Sequence, residues 1–370
     1  MVVVRAKGTI ALMAVAVFVL GASTLRAQLP PGKFSGIVFG DYAYNVGRDS
    51  TIGKLPNTAL TGPKDFQAFQ LRRIYFTYDQ DISESFTSRF RLEADQEANA
   101  SNGKIGVFVK DAYLKWKNVF SGSDVTFGIQ PTPTFDVSEG AWGYRSLEKT
   151  IMDLRGIAPS RDIGVSLRGK FDDKGMFGYW VMVGDGTGNK PEVDKYKRYY
   201  AQLQARPVEG MVIDLYTDLN ARPNIVDSNN VADRLGNDAN TYALFIGYSS
   251  PNQYSFGVEA FMQSTQNAVL TGRSPFTYRS RSIMGGTVYG SYFFVPKLAG
   301  VVRFDYYDPD NDASATGDKR NLIIAGLDWR PEKNVSIIPN IEMETYETPA
   351  SGRSIDPSLT ARLTVSYQFP

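Results

Sequence analysis

From Lys33 onward one pattern recurs along the chain: apolar and polar residues alternate with period two. In the last segment, LTARLTVSYQF, residues Leu359, Ala361, Leu363, Val365, Tyr367 and Phe369 fall on one side. Thr360, Arg362, Thr364, Ser366 and Gln368 fall on the other. Successive side chains of a strand point to opposite faces, so this reads as a strand with one apolar and one polar face. SFTSRFRLEAD likewise separates Phe86, Phe90, Leu92 and Ala94 from Thr87, Arg89, Arg91, Glu93 and Asp95. DAYLKW separates Ala112, Leu114 and Trp116 from Asp111, Tyr113 and Lys115. Ser166, Arg168 and Lys170 oppose Ile163, Val165 and Leu167. Gln202, Gln204 and Arg206 oppose Tyr199, Ala201 and Leu203. Asp214, Tyr216 and Asp218 oppose Met211, Ile213 and Leu215, whereas GMFGYWVMVGDG fits either face. The pattern predicts about sixteen strands, many of them of the length that crosses a bilayer at a tilt of about 45°.

The connections alternate short and long. The short ones are QDISE (80–84), VFSGS (119–123), DDKG (172–175), PVEG (207–210), SPN (250–252), VPK (295–297) and RPEKN (330–334). They carry the Pro, Gly, Asp and Asn of tight turns. The long ones fall near 47–64, 98–104, 131–161, 185–195, 221–239, 265–277, 308–320 and 348–356. Short periplasmic turns and longer external loops are the pattern of bacterial outer-membrane barrels, and an even strand count leaves both chain ends in the periplasm. A soluble sandwich also alternates, but its strands are shorter, and its dry core does not tolerate several charges per strand. The expected fold is therefore all-β: a transmembrane antiparallel barrel over residues 28–370, its apolar faces against lipid and its polar faces lining a lumen. Closure is required, because an open edge in hydrocarbon leaves backbone groups unsatisfied.

The chain contains neither Cys nor His. Thiol nucleophiles, Ser-His-Asp triads and Cys- or His-based metal, haem and iron–sulfur sites are thereby excluded. A formal net charge of +1 gives no reason to expect a nucleic-acid partner, and no cofactor is expected. At the N-terminus, Arg5 and Lys7 precede the apolar run TIALMAVAVFVLGA (9–22), and TLRAQ offers a cleavage site after Ala27. The run is shorter than the roughly 18 to 20 apolar residues of a spanning helix. Residues 1–27 are expected to be a signal peptide, with the mature chain in the outer membrane of a Gram-negative-type bacterium. Its removal takes three cations and no acid, bringing the net charge from +1 to −2.

FQLRRIYFTYDQDISESFTSRFRLEAD (69–95), VKDAYLKWKN (109–118), DVTFGIQPTPTFDVSE (124–139) and SRDIGVSLRGKF (160–171) resemble the phosphate-selective porin O and P family of outer-membrane porins. The resemblance implies a sixteen-stranded barrel, commonly a homotrimer, that passes small solutes. It also implies contact with outer-membrane lipid and lipopolysaccharide. Its assembly signal, read by the barrel assembly machinery, would be the terminal aromatics Tyr367 and Phe369, here followed by Pro370. Phosphate selectivity needs a cationic lumen. The expected pore-lining residues mix signs: Arg89, Arg91, Lys115, Arg168, Lys170, Arg206 and Arg362 stand with Glu93 and Asp111.

The longest connection, TPTFDVSEGAWGYRSLEKTIMDLRGIAPS (132–160), exceeds the roughly 15 residues beyond which loops are usually functional or disordered. It carries enough apolar surface to pack. As the third long loop it is in the position that folds inward in porins. Arg145, Glu148, Lys149, Asp153 and Arg155, with Arg161 just beyond, would then form the constriction. The competing reading is an external loop packed on the rim or on a neighbouring subunit. DPDNDASATGDK (308–319) lacks the Gly and Glu of a calcium loop and reads as an external loop, as does GDGTGNKP (184–191). Tyr42, Tyr44, Tyr78, Trp116, Trp180, Tyr248, Tyr292, Tyr306, Trp329, Tyr367 and Phe369 suit interfacial girdles. The function expected is passive diffusion of small hydrophilic solutes or ions, with a weak anion preference. The alternatives are a substrate-specific phosphate or oligosaccharide channel, a plugged structural or adhesive barrel, and a barrel enzyme such as a lipase or protease.

Overall fold

The computed structural model describes residues 31–52, 62–99, 103–350 and 352–370. The expected signal peptide and the Asn57 portion of the first long loop lie outside these residues. The strands are β1 (Lys33–Gly47), β2 (Gln67–Asp81), β3 (Phe86–Asn99), β4 (Ile105–Phe120), β5 (Ser123–Pro131), β6 (Arg161–Lys170), β7 (Phe177–Gly184), β8 (Arg198–Ala205) and β9 (Met211–Asn220). Beyond a small ribbon of β10 (Ile225–Val226) and β11 (Arg234–Leu235) come β12 (Ala239–Ser250), β13 (Tyr254–Thr271), β14 (Thr277–Val295), β15 (Leu298–Asp308), β16 (Arg320–Glu332), β17 (Val335–Tyr346) and β18 (Ser358–Phe369). All but the ribbon form one closed antiparallel barrel of 16 strands, each paired with its chain neighbour and β1 with β18. The connections alternate short and long around the barrel in the expected order.

The outer face is apolar. Phe90, Leu114, Val165, Leu203, Leu215, Val258, Val302, Leu327, Ile341 and Leu363 all point outward. At the short-turn end, Trp116, Tyr248, Tyr292, Trp329 and Tyr367 are exposed. Phe69, Tyr199, Tyr242 and Tyr306 are exposed nearer the long-loop end, so aromatics flank the apolar band on both sides. The barrel is closed by the register Gly36↔Phe369 through Gly47↔Leu359. The Phe369 ring lies over Gly36 so closely that a Cβ there would sit 2.1 Å from it, which explains why the partner position is glycine.

The inner face departs from simple alternation in two ways. First, it is two-sided. Met182, Tyr200, Val212, Tyr216, Phe245, Phe261, Ile283, Tyr289, Val301, Tyr307, Leu322, Ile324 and Ile338 form apolar patches on the interior of β7–β17, interleaved with buried polar and charged side chains such as Asp214, Asp218, Glu259, Arg303, Asp305 and Glu342. Trp180 belongs to this interior and is buried, so its expected place in an outer girdle is corrected. The interior of β1–β6 is polar and charged, with Asp41, Asn45, Glu93, Asp111, Gln130 and Asp162 buried on it. Second, the register shifts between Phe39 and Asp41 on the β1–β2 pair and between Arg91 and Leu92 on the β3–β4 pair. Each shift inserts one extra residue, as a β-bulge does. Consecutive side chains, Arg72 with Arg73 and Lys110 with Asp111, consequently both enter ion pairs of the interior.

Candidate functional site

The connection between β5 and β6 lies inside the barrel. Its two short helices are α1 (Asp136–Trp142) and α2 (Ile151–Leu154). Val137, Trp142, Tyr144 and Leu147 join one apolar cluster with the wall, and Phe135, Ile151, Met152 and Ile157 join the other. The loop thus covers the apolar patches of the β7–β17 interior and removes their surface from water. Trp142 shows how tightly it is seated. Its indole N–H donates to the Glu148 carbonyl at 2.9 Å, its ring meets Tyr289 edge-on at 5.0 Å between centroids, and Arg303 stacks on it at 5.2 Å.

Wall side chains also hold the loop by its carbonyl oxygens. Arg72 donates to Ser146 and Leu147, and Arg303 donates to Lys149 at 2.5 Å. Gln263 donates to Ile157 at 2.8 Å, Gln202 to Pro133 at 2.8 Å, and Ser255 to Ala141 at 2.9 Å. These bonds satisfy loop backbone that would otherwise be buried without partners. Three inward ion pairs stand behind the loop: Arg303 with Asp305 at 2.5 Å, Arg198 with Asp218 at 2.7 Å, and Arg362 with Glu342 at 2.7 Å.

This arrangement changes which residues can face a passage. Arg155 was expected at the constriction. Its side chain and that of its partner Glu344 are both 0% exposed, 2.8 Å apart, and Arg155 stacks on Tyr307 at 5.0 Å. Arg155 therefore fastens the loop to the wall. Glu148 is buried beside Arg362 and Arg72, and its carboxylate accepts the Lys149 N–H at 2.8 Å. Arg362, expected to line the pore, is mostly covered by the loop and donates to the Leu147 carbonyl at 3.3 Å. Lys149 is half-buried.

The space left over lies between α1 and the charged wall of β1–β6. A cavity of about 350 Å³ is lined there by Tyr75, Arg91, Lys110 and Arg161 on the wall and by Asp136, Glu139, Gly140 and Arg145 on the loop. A second cavity of about 540 Å³, towards the short turns, is lined by Arg168, Gln204 and Arg206 and shares Asp136 and Gly140 with the first. On the wall, Asp111 is shared by Arg161 at 2.5 Å and Arg91 at 3.3 Å. Glu93 is shared by Arg73 at 2.7 Å and Lys110 at 2.9 Å. These carboxylates lie behind the cations, with side chains at most 1% exposed against 8–22% for their partners. Arg91 stacks on the Tyr75 ring at 5.5 Å. A solute entering the cavity meets guanidinium and ammonium groups before it meets the acids.

The loop face opposes this wall. Asp136 and Glu139 have side chains 37% and 33% exposed. Asp136 reaches Arg168 of the wall at 3.3 Å, and Arg168 in turn stacks on Trp180 at 4.4 Å. Arg145 bridges Glu139 at 3.1 Å and Asp153 at 2.6 Å. Burial alone raises the Asp153 carboxyl, but the Arg145 guanidinium outweighs it and holds the group below its ordinary range. Burial likewise opposes the charge on Arg145, and Asp153 and Glu139 hold it well above its ordinary value. The other expected lining residues sit towards the short turns. Arg89 pairs with Asp79 at 2.7 Å and Lys115 with Asp124 at 3.8 Å, while Lys170 and Arg206 are exposed.

The sequence reading missed Lys110, which the β4 bulge brings into play, Arg73 and Tyr75, which share the inward face of β2, and Asp136 and Glu139, whose roles depend on the direction in which α1 faces. It also missed Asn189, from the segment read as a plain external loop. Asn189 donates to the Val109 and Lys110 carbonyls at 2.7 and 3.0 Å, filling the gap that the β4 bulge leaves in the ladder.

The outer-membrane channel DcaP of Acinetobacter baumannii is similar at a TM-score of 0.65 and 12% identity, covering 91% of this chain and 97% of that one. The fold is a porin fold. An anion-selective porin from Comamonas acidovorans matches at 0.62 and 11% identity over 92% and 99% of the two chains. Salmonella typhi OmpF matches at 0.60 and 14% identity over 91% and 97%. Neither a family model nor a curated protein matches the chain. At such identities the likeness shows the architecture, and the chemistry of the passage rests on this chain's own residues.

Proposed function

We propose that the protein is an outer-membrane porin, exported with removal of residues 1–27, that lets small hydrophilic solutes and ions diffuse passively with a weak preference for anions. The observation that carries this reading is the loop 132–160, held against the apolar patches of the β7–β17 interior while a charged cavity stays open beside it. Charges bordering a narrow passage with low-dielectric walls act more strongly than the same charges in bulk water. The wall cations stand in front of their acids, which favours anions, and Asp136 and Glu139 opposite them keep the preference small. Mixed signs also argue against a filter for phosphate alone. The quoted motifs resemble the phosphate-selective porin O and P family, and the proposal includes what that resemblance implies: a homotrimer in contact with lipopolysaccharide and inserted by the barrel assembly machinery. In this reading the barrel does no chemistry.

The test is the reversal potential in a planar bilayer across a tenfold potassium chloride gradient. The parent should show a small anion preference. An Arg145→Glu, Lys149→Glu variant should abolish or reverse it, and the difference should shrink at 1 M salt, where the Debye length is about 3 Å. Equal potentials for parent and variant would remove this loop from the ion path.

A further inference from the structure

We infer that a furrow on the outer face of β13–β18 binds a glycerophospholipid of the leaflet at the short-turn end, its acyl chain in the furrow and its anionic headgroup on Lys297 and Lys333. The inference rests on the barrel lying in a membrane and is independent of what passes through it. Strand register sets Gly290, Val302, Ala325, Ile341 and Ala361 side by side on the outward face of β14–β18. Gly290, Ala325 and Ala361 carry at most a methyl group. The next outward row towards the long loops is Val288, Phe304, Ile323, Met343 and Leu359, with no small residue in it. The wall is therefore hollow in one row and full in the next. On the short-turn side Gly300 and Pro339 continue the hollow, with Tyr292, Phe294 and Leu327 around them. Phe256 and Phe294 lie close to the wall, since a Cβ at Gly290 or Gly300 would come within 2.9 or 2.8 Å of their rings. The result is an apolar furrow of about 830 Å³, within the size range of ligand sites.

Its place in the barrel says what covers it. The furrow belongs to the apolar outer band, with exposed Val258 and Leu363 on its flanks, so its surroundings are hydrocarbon. A hollow left unfilled forfeits dispersion contacts, and a flexible acyl chain can follow its floor. At the short-turn end Tyr292 and Trp329 are exposed, and rings of this kind sit at headgroup level. Beyond them stand two short turns. Lys297 is on the turn between β14 and β15 and Lys333 on the turn between β16 and β17, and both are exposed. The Lys297 ammonium donates to the Pro331 carbonyl at 2.6 Å, which draws the first turn to the second and leaves two of its three donors over. Among the described residues neither lysine has an ion-pair partner. Arg330 is turned to Asp328 at 2.7 Å, and Glu332 is the one acid on the two turns. Two ammonium groups against one carboxylate leave the turns net positive. Cations at the end of an apolar furrow match the order of groups in an anionic phospholipid, phosphate first and hydrocarbon after.

The experiment is quenching of tryptophan fluorescence by brominated lipid in bilayers holding the full barrel. The chain has four tryptophans, of which Trp142 and Trp180 are buried inside. A Trp116→Phe background therefore leaves Trp329 as the lipid-facing reporter, paired with Leu298 two residues from Gly300. Brominated phosphatidylglycerol is compared with brominated phosphatidylcholine, each diluted equally into unbrominated phosphatidylcholine. Phosphatidylglycerol should be enriched at Trp329 about two- to fivefold, the range of exposed ion pairs. Lys297→Gln with Lys333→Gln should bring the ratio to one, and Glu332→Gln should raise it. Ala325→Leu with Ala361→Leu fills the furrow, leaves both lysines in place, and should also bring the ratio to one. Heat-modifiable gel mobility confirms that each barrel is folded. Equal quenching by the two lipids in the background protein overturns the inference. So does enrichment that survives the filled furrow, which would mean surface charge alone. A Trp329 quenched by neither lipid overturns it as well, and would mean that a second copy covers this face. Ion current through the same protein tests the porin reading separately.

Discussion

Trp142→Ala tests whether the loop is held where it restricts the passage. The indole is 2% exposed and contacts Tyr144, Tyr289 and Arg303, all at the seam between loop and wall. Truncating a buried Trp to Ala typically costs about 3–5 kcal/mol. Because Trp142 joins the loop to the wall and is no part of a strand, that cost falls on the seating of the loop and leaves the strand ladder intact. At about 1.4 kcal/mol per tenfold, the seating equilibrium shifts roughly a hundred- to several-thousand-fold. The expected result in single-channel recordings is a barrel that still inserts but flickers between the parent current and a larger one. Gel mobility should show the same folded fraction as the parent. A folded variant with the parent's conductance and the parent's open-channel noise would refute the reasoning.

Arg155→Glu places an acid against Glu344 where both side chains are fully buried. Breaking such a pair costs roughly 3–5 kcal/mol, so this variant should also unseat the loop, and its open-channel noise should rise well above that of Arg145→Glu. Phe369→Ala should lower the folded fraction on gels far more than Pro370→Ala, and Gly36→Val should do the same because a Cβ at Gly36 collides with the Phe369 ring; equal losses at Phe369 and Pro370 would mean that the seam is misread. Tags at Asn229 and Asn311 should react with reagents outside intact cells and tags at Lys174 and Lys333 should not; labelling at Lys174 in sealed cells would invert the topology.

The barrel was legible because its outer face obeys a two-residue period against lipid, and the turn residues mark where the chain reverses. The interior was less so. Alternation predicts polar residues inside, yet Phe245, Phe261 and Tyr289 point inward and are buried, because the loop supplies an apolar partner that a water-filled lumen lacks, and Trp180 is buried there under the Arg168 guanidinium. GMFGYWVMVGDG looked ambiguous for this reason: β7 is apolar on both faces, Val181 and Val183 outward and Trp180 and Met182 inward. Charge counting in the loop failed at Arg155 and Glu148 because sequence gives composition without direction, and both turn to the wall. Lys110 was hidden by a bulge, which shifts the face of a residue without leaving a mark in the alternation.

In the proposed function, solutes pass beside α1, between Asp136 and the wall. Gly140 lines both cavities there, is exposed, and a Cβ at that position meets no atom within 4 Å. The chain has no cysteine, so Gly140→Cys introduces a unique thiol. Single-channel current should be recorded through this variant before and after a bulky hydrophilic thiol reagent. Open steps like the parent's and a stepwise fall in current on labelling are expected. A barrel that conducts nothing, or current that is unchanged although the thiol is shown to be labelled, would contradict passage beside α1.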